Sequence, residues 1–244
     1  ALYLTPQKFN DLLNAGLHTM TISMDGLGDE HNWMRGNKHS FEMVSQAIDL
    51  LVSHPEIKFD ILTCVNRRNY PHLDAIKQFL IDKGVKNWRV VAVFPVGRAA
   101  SDPDMHLTPE EYKGILEFIK QTRKEGRIAC SYGCEGFMGN FEGDIRNTFY
   151  GCHAGVTVGS VLVDGSISAC ASIRSNYHQG NIYQDDFMDI WQHRFLPYRN
   201  REWMRKGECA ECKYFRYCQG SGMHLRDDEG NLIMCPLHRL HIFQ

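Results

Sequence analysis

The sequence predicts an α/β protein in two parts, a parallel sheet followed by a small cysteine-rich α+β region. Three observations carry this. Strand-type and helix-type hydrophobic periodicities alternate through the first half at intervals of about 30–40 residues, the signature of βαβ units. From about residue 127 the alternation gives way to short runs with frequent glycine. Of nine cysteines, Cys64 stands alone and the others follow residue 129. The first part is read as residues 1–126 and the second as residues 127–244.

The elements follow in order. HTMTISMDG (18–26) is a β-rich run that ends in a turn. FEMVSQAIDLLVS (41–53) places Phe41, Val44, Ile48 and Leu51 on one helical face, with Ser40 as its N-cap. KFDILTCVN (58–66) is a second strand. The helix PHLDAIKQFLIDKG has Pro71 at its first position and Gly84 just past its end. WRVVAVFPVG (88–97) is a third strand. The next helix has Thr108 as cap, Pro109 in its first turn, Glu111 closing a capping box and Gly126 as stop. Further on, GVTVGSVLVDGSISAC (155–170) reads as a hairpin turning at Asp164-Gly165. DDFMDIWQHRF (185–195) reads as a short amphipathic helix.

Ligands of open parallel sheets bind at the carboxyl ends of the strands. That rule gathers Ser23, Asp25, Asn66 and the segment PVGRA (95–99) at one rim. Strand ends and helix caps use Ser, Asp and Asn in any case, so position alone does not make these residues functional.

The composition is 43% hydrophobic and 23% charged with a net charge of −2, which excludes a disordered chain and offers no basic face for nucleic acid. No apolar run approaches the roughly 18 residues of a membrane span, and ALYLTPQKFN lacks a secretion-signal pattern. The chain reads as soluble and cytoplasmic. Zinc-hydrolase, G-x-S-x-G, P-loop and Rossmann glycine motifs are all missing from the sequence.

The densest signal is CAECKYFRYCQGSGMHLRDDEGNLIMC, in which Cys209, Cys212, Cys218 and Cys235 follow the spacing C-x2-C-x5-C-x16-C. Tight C-x2-C pairs in a chain of this size and odd cysteine count point to metal rather than disulfides. Four thiolates suit either a zinc ion or a [4Fe–4S] cluster, and this spacing does not separate them. His238, in CPLHRLHIF, could join a metal, although a solvated surface histidine is the plainer reading.

Upstream, Cys152, Gly165 and Cys170 form C-x12-G-x4-C. With the later cysteines and the connector QGNIYQDDFMDIW (179–191), this resembles the SPASM domain found behind many radical S-adenosylmethionine (SAM) enzymes. GLHTMTISMDGLGDEHNWMRG, with its SxDG…H…RG run, and PVGRA are similar to the fourth-strand and sixth-strand regions of peptide-modifying members. The resemblance covers essentially the whole chain and extends to a bacterial subgroup linked to lipoproteins.

The resemblance implies the C-terminal portion of a partial (β/α)6 barrel with a SPASM domain. It also implies auxiliary [4Fe–4S] clusters, S-adenosylmethionine with a further [4Fe–4S] cluster in the full-length protein, a peptide or protein substrate, and a reductant such as flavodoxin or ferredoxin. Cys209, Cys212, Cys218 and Cys235 correspond to the ligands of the second auxiliary cluster. Cys152 and Cys170 correspond to the first, whose next cysteine is replaced by Gly222. Cys134 is the stand-in for it and Cys130 a weaker one, both also readable as structural thiols. Ser23 and Arg35, with Asp25 and Asn66 nearby, would contact the cofactor.

Two departures qualify this. The C-x3-C-x2-C motif of the radical-generating cluster does not occur; CSYGC carries half of it, but position 137 is Phe. The expectation is that about a hundred preceding residues supply it. Sulfatase-maturing members carry an Asp where this chain has Ala171, which puts formylglycine formation in doubt. The competing expectation is a non-catalytic scaffold whose zinc or cluster serves structure alone.

Overall fold

In the computed structural model, which describes residues 2–133 and 136–242, the expected strands form one sheet. Strands β1 (Thr19–Ser23), β2 (Lys58–Val65), β3 (Asn87–Ala92) and β4 (Ala129–Tyr132) pair in sequence order, every pair parallel. Strand β4 was not legible as a strand, being four residues long and containing only one fully apolar alternation, Cys130 and Tyr132 facing inward.

The helices are α1 (Pro6–Asn14), α2 (Asp29–Arg35), α3 (Ser40–Val52), α4 (Leu73–Asp82) and α5 (Pro109–Glu125). Helices α1 and α2 had not been read from the sequence. Each is short, α1 burying only Phe9 and α2 only His31, so neither writes a hydrophobic stripe. The α5 boundaries are as expected: Glu111 N–H donates to Thr108 Oγ1 at 3.2 Å, Thr108 N–H donates to Glu111 Oε2 at 2.7 Å, and Gly126 closes the helix in the left-handed region at φ 67°. Ser40 corrects its expected role. It is the first residue of α3 rather than its cap, and its hydroxyl meets His31 Nε2 at 3.0 Å.

Helix faces and strands share a core of Val44, Ile48, Leu51, Ile61, Ile76, Leu80, Trp88, Val90, Tyr112 and Ile119, all buried. Trp88 stays in it at no polar cost, since its Nε1–H donates to Thr63 Oγ1 at 2.8 Å. These elements make up one compact unit, residues 1–133 with 143–148.

The second unit comprises residues 134–142 and 149–244. It has one small antiparallel sheet, β5 (Ser160–Val161), β6 (Ser166–Ser168) and β7 (Gly180–Asn181). The β5–β6 hairpin turns at the expected Asp164-Gly165, with Gly165 N–H donating to Leu162 O at 2.9 Å. The expected helix 185–195 is an α turn, Phe187–Asp189, that widens into a π turn over Ile190–Arg194. Ile167, Ile190, Phe195, Tyr198, Met204, Phe215 and Met223 form its core. Among the described residues, no helix is long and apolar enough to cross a membrane.

Candidate metal centre

Cys209 ends a short 3-10 turn (Gly207–Cys209), Cys218 ends the helical turn Phe215–Cys218, and Cys235 precedes the turn Pro236–Arg239. These loops bring Cys209, Cys212, Cys218 and Cys235 to the wall of one cavity, together with Phe137, Phe215, Leu232 and Leu237. Phe137 anchors an aromatic cluster there, stacking on Tyr217 with centroids 5.8 Å apart. No disulfide joins the described cysteines.

The electrostatics fit a cation. Burial first, and then the neighbouring Cys218 and Cys209, push the Cys235 thiol up to about 11 against the pull of the His238 and Leu237 N–H groups. Cys218 is also raised, first by burial, with Cys209 and Cys212 adding to it against the pull of backbone N–H groups. Thiols that oppose one another's ionisation are relieved by metal, which ionises them outright. Arg226, completely buried, donates from Nη2 to Cys209 Sγ at 3.2 Å. Its Nη1 and Nη2 also hold Gly230 O and Gly220 O, each at 3.0 Å. A guanidinium locked against a ligand sulfur neutralises charge on a thiolate-bound centre and sets its potential.

Among the described residues, no three His, Cys, Asp or Glu side chains converge tightly enough for a single metal ion. A zinc ion would draw its four sulfurs to roughly 3.8 Å of one another, given Zn–S bonds of about 2.3 Å in a tetrahedron. Cysteines of a four-iron cluster each hold a separate iron and line a wall instead. The four thiols of this cavity are donors that either group could take. His238 also lines the cavity, with Nδ1 3.0 Å from Glu208 Oε2 and its side chain well exposed.

Cys152 and Cys170 pack against the unit's core, and Cys152 also packs on the Phe137, Tyr150 and Leu237 cluster that Cys218 and Cys235 touch. Burial raises the Cys152 thiol, but the Arg201 guanidinium, first, and nearby backbone N–H groups pull it below its ordinary value overall. Arg201 is itself buried and donates to Tyr198 O, Ser221 O and Cys152 O. Burial and, second, Arg174 lower the His224 imidazole below its ordinary value. Cys134 lies outside the described residues. Cys130 is buried on β4, where burial pushes its thiol up to about 12, and Cys64 is a half-buried residue of β2.

Of the expected rim residues, Asp25 and Asn66 lie at the carboxyl ends of β1 and β2, and both are already engaged. Asp25, buried, accepts Cys64 N–H on Oδ1 at 2.9 Å and meets Arg35 Nη2 at 2.6 Å. Burial lifts its carboxyl above the usual value, and Arg35 and the Cys64 N–H pull part of the way back. Asn66, buried past the end of β2, accepts the Arg68 and Asn69 N–H groups on Oδ1. Ser23 is half-buried and Arg35 keeps 35% of its side chain exposed. His31 was visible in the SxDG…H…RG run but given no role. Its Nδ1 accepts Asp25 N–H at 3.0 Å, so the ring must be neutral, and burial lowers it to about 4.

Several known proteins are similar to this chain. Residues 152–213 match the SPASM model, an iron–sulfur cluster-binding domain; the match stops short of Cys218 and Cys235. The AdoMet-dependent heme synthase of Oleidesulfovibrio alaskensis is 26% identical over 92% of this chain and 64% of its own. Mycofactocin maturase MftC of Mycolicibacterium smegmatis is 27% identical, over 90% of this chain and 56% of its own. The cysteine-type anaerobic sulfatase-maturating enzyme of Clostridium perfringens is 22% identical, over 93% and 64%. The chain thus spans less than two thirds of the length of these relatives. Among solved structures, anSMEcpe with bound AdoMet superposes with a TM-score of 0.65 at 21% identity, over 92% of this chain and 61% of that one. Streptococcus suis SuiB bound to S-adenosylmethionine gives 0.62 at 15% identity, over 90% and 52%.

Proposed function

We propose that this chain, which carries a SPASM domain behind a sheet of the radical SAM fold, is the cluster-bearing part of an enzyme that modifies a peptide or protein side chain by 5′-deoxyadenosyl-radical hydrogen abstraction. The observation that carries the reading is the cavity walled by Cys209, Cys212, Cys218 and Cys235 within a SPASM-type fold. A cluster bound there, with all four irons held by thiolates, would supply an electron route. The chain's own part is to hold it. The four thiols ligate, Arg226 donates to Cys209 Sγ, and Phe137, Phe215 and Leu237 exclude water.

At the sheet rim, Arg35 and Ser23 are the groups with polar capacity toward the carboxylate of S-adenosylmethionine. Asp25 and Asn66 support them, because their oxygens are taken by backbone N–H groups and by Arg35. Electrons would come from a flavodoxin or ferredoxin, and the protein works in the cytoplasm. Residues 1–126 serve the radical chemistry and residues 127–244 the auxiliary clusters.

A second reading has a specific observation behind it. Haem synthases stand beside the peptide maturases among the relatives, at similar identity, so a tetrapyrrole side chain is the alternative target. The test uses the native gene product, purified anaerobically, with dithionite and S-adenosylmethionine. Formation of 5′-deoxyadenosine supports radical chemistry. Deuterium transfer into it from a labelled peptide, and not from a labelled porphyrin, selects the first reading. A cluster-loaded native protein that makes no 5′-deoxyadenosine contradicts both and leaves the scaffold.

A further inference from the structure

The wall of the cysteine cavity continues to the surface of the second unit through aromatic rings. Phe137 is buried, lines the cavity and belongs to the cluster on which Cys218 and Cys235 pack. Tyr217 stacks on it with planes 25° from parallel, and Phe149 lies with its centroid 5.4 Å away. Phe149 and Tyr217 also meet each other at 6.2 Å. Yet Phe149 is 59% exposed and Tyr217 41%. Apolar rings tied to a cavity wall and left in water mark an interaction surface.

The charge around these rings is positive. Arg216 lies over the Tyr217 ring at 4.5 Å and Lys213 over the Tyr214 ring at 5.2 Å, and both residues are exposed. Residues 205–218 carry four Lys or Arg against two Glu, in a chain of net charge −2. Of those two, Glu208 is paired with His238. Among the described residues, the lysines and arginines of this unit that form ion pairs are Arg174, Arg194 and Arg205. Lys213 and Arg216 keep their charge for another molecule. Aromatic rings and arginine suit the centre of an interface, and a positive rim selects an acidic partner.

We propose that the face formed by Phe149, Tyr217, Lys213 and Arg216 docks a small acidic electron-carrier protein, which delivers its electron to the cluster of the adjoining cavity. This rests on the iron–sulfur reading above. One electron leaves the reduced carrier and enters the oxidised cluster, with no bond made or broken. Phe137 belongs to both the cavity wall and the docking face, which keeps the path through the protein short. That shared ring favours a redox carrier over an acidic peptide, which needs no path to the cluster. Electron-transfer encounters are small and weak, so charge carries much of the binding.

The experiment mixes the native gene product, purified anaerobically with its iron, with flavodoxin, an acidic flavin carrier. Calorimetry reads binding, and stopped-flow oxidation of the reduced flavin reads electron transfer. The proposal expects a complex that weakens about tenfold as salt rises from about 0.05 to about 0.5 M. Lys213→Glu with Arg216→Glu weakens it about tenfold at low salt and slows flavin oxidation in proportion, at unchanged iron content. Phe149→Ala weakens it by a smaller factor. Lys86→Glu with Lys124→Glu, the same charge change in the sheet unit, leaves it within about twofold. Where the charge reversal costs iron, Arg216→Gln reads the same loss at smaller size. No binding to the iron-loaded chain, binding that the face variants leave unchanged, or equal binding of the basic cytochrome c overturns the proposal and leaves the iron–sulfur reading standing. Face variants that lose an acidic peptide but keep flavodoxin give the face to substrate and overturn it too. A wild-type chain that takes up no iron sinks the iron–sulfur reading, and the proposal with it.

Discussion

Residues 19–132 satisfy their backbone by a ladder of four parallel strands, whereas residues 149–242 have three short strands and give their loop carbonyls to arginines. In the second unit Arg199 holds Gly155 O and Trp191 O, Arg201 holds Tyr198 O, Ser221 O and Cys152 O, and Arg226 holds Gly220 O and Gly230 O. Arg174 in turn donates to Arg226 O. Buried carbonyls need donors, and a guanidinium with five N–H groups supplies several loops at once. Buried guanidiniums in turn need negative charge nearby to be tolerable. In the second unit two of them lie against cysteines, Arg226 donating to Cys209 Sγ and Arg201 to Cys152 O. The sheet unit is self-sufficient through apolar packing, while the second unit is balanced around its sulfurs.

The largest effect that would sharpen this contrast comes from Cys212→Ala. Loss of one cavity ligand should cost about four irons per chain and should loosen the second unit, because cluster binding and folding are coupled there. Limited proteolysis would then cut within residues 149–242 and spare residues 19–132. Equal sensitivity of both units would break the contrast.

Arg226→Met should follow in size. It strands two buried carbonyls at about 1–3 kcal/mol each and removes the donor to Cys209 Sγ. Denaturant unfolding should show a loss of about 2–5 kcal/mol in the second unit, and the potential of the remaining cluster should fall. An unchanged potential would mean the guanidinium serves the loops alone.

In the sheet unit the polar counterpart is His31. Its folded value of about 4 lies below its ordinary 6.5, so the unfolded chain takes up the proton first. The stabilisation is complete above pH 6.5 and is lost as pH falls towards 4, a swing of about 3 kcal/mol. The lifted Asp25 carboxyl works in the opposite direction over the acid range. The histidine's share is therefore read as the difference in unfolding free energy between the protein and His31→Gln across pH 4–7. Parallel curves would refute it.

The smallest effect is Thr108→Ala. It removes a capping-box oxygen from α5 and should lower the stability of the sheet unit by about 1 kcal/mol without touching iron content.

How much of this was legible in the sequence follows the same division. Strands β1 to β3, and helices α3 to α5 with the Thr108/Glu111 box and the Gly126 stop, could be read because apolar periodicity and caps specify them locally. Helices α1 and α2 bury one residue each, and β4 is too short to show a period, so those three left no readable trace. In the second unit the hairpin at Asp164-Gly165 was legible from its turn residues. The convergence of Cys209, Cys212, Cys218 and Cys235 was legible from spacing. Arg201 and Arg226 were not, because what they do is set by long-range partners that no local pattern encodes.

The most direct test of the account is anaerobic reconstitution of the chain with iron and sulfide, followed by metal and sulfide quantification and Mössbauer spectroscopy, beside Cys212→Ala. The account predicts [4Fe–4S] centres, with about four irons per chain lost in the variant. Zinc in place of iron, or iron uptake that Cys212→Ala leaves unchanged, would contradict it.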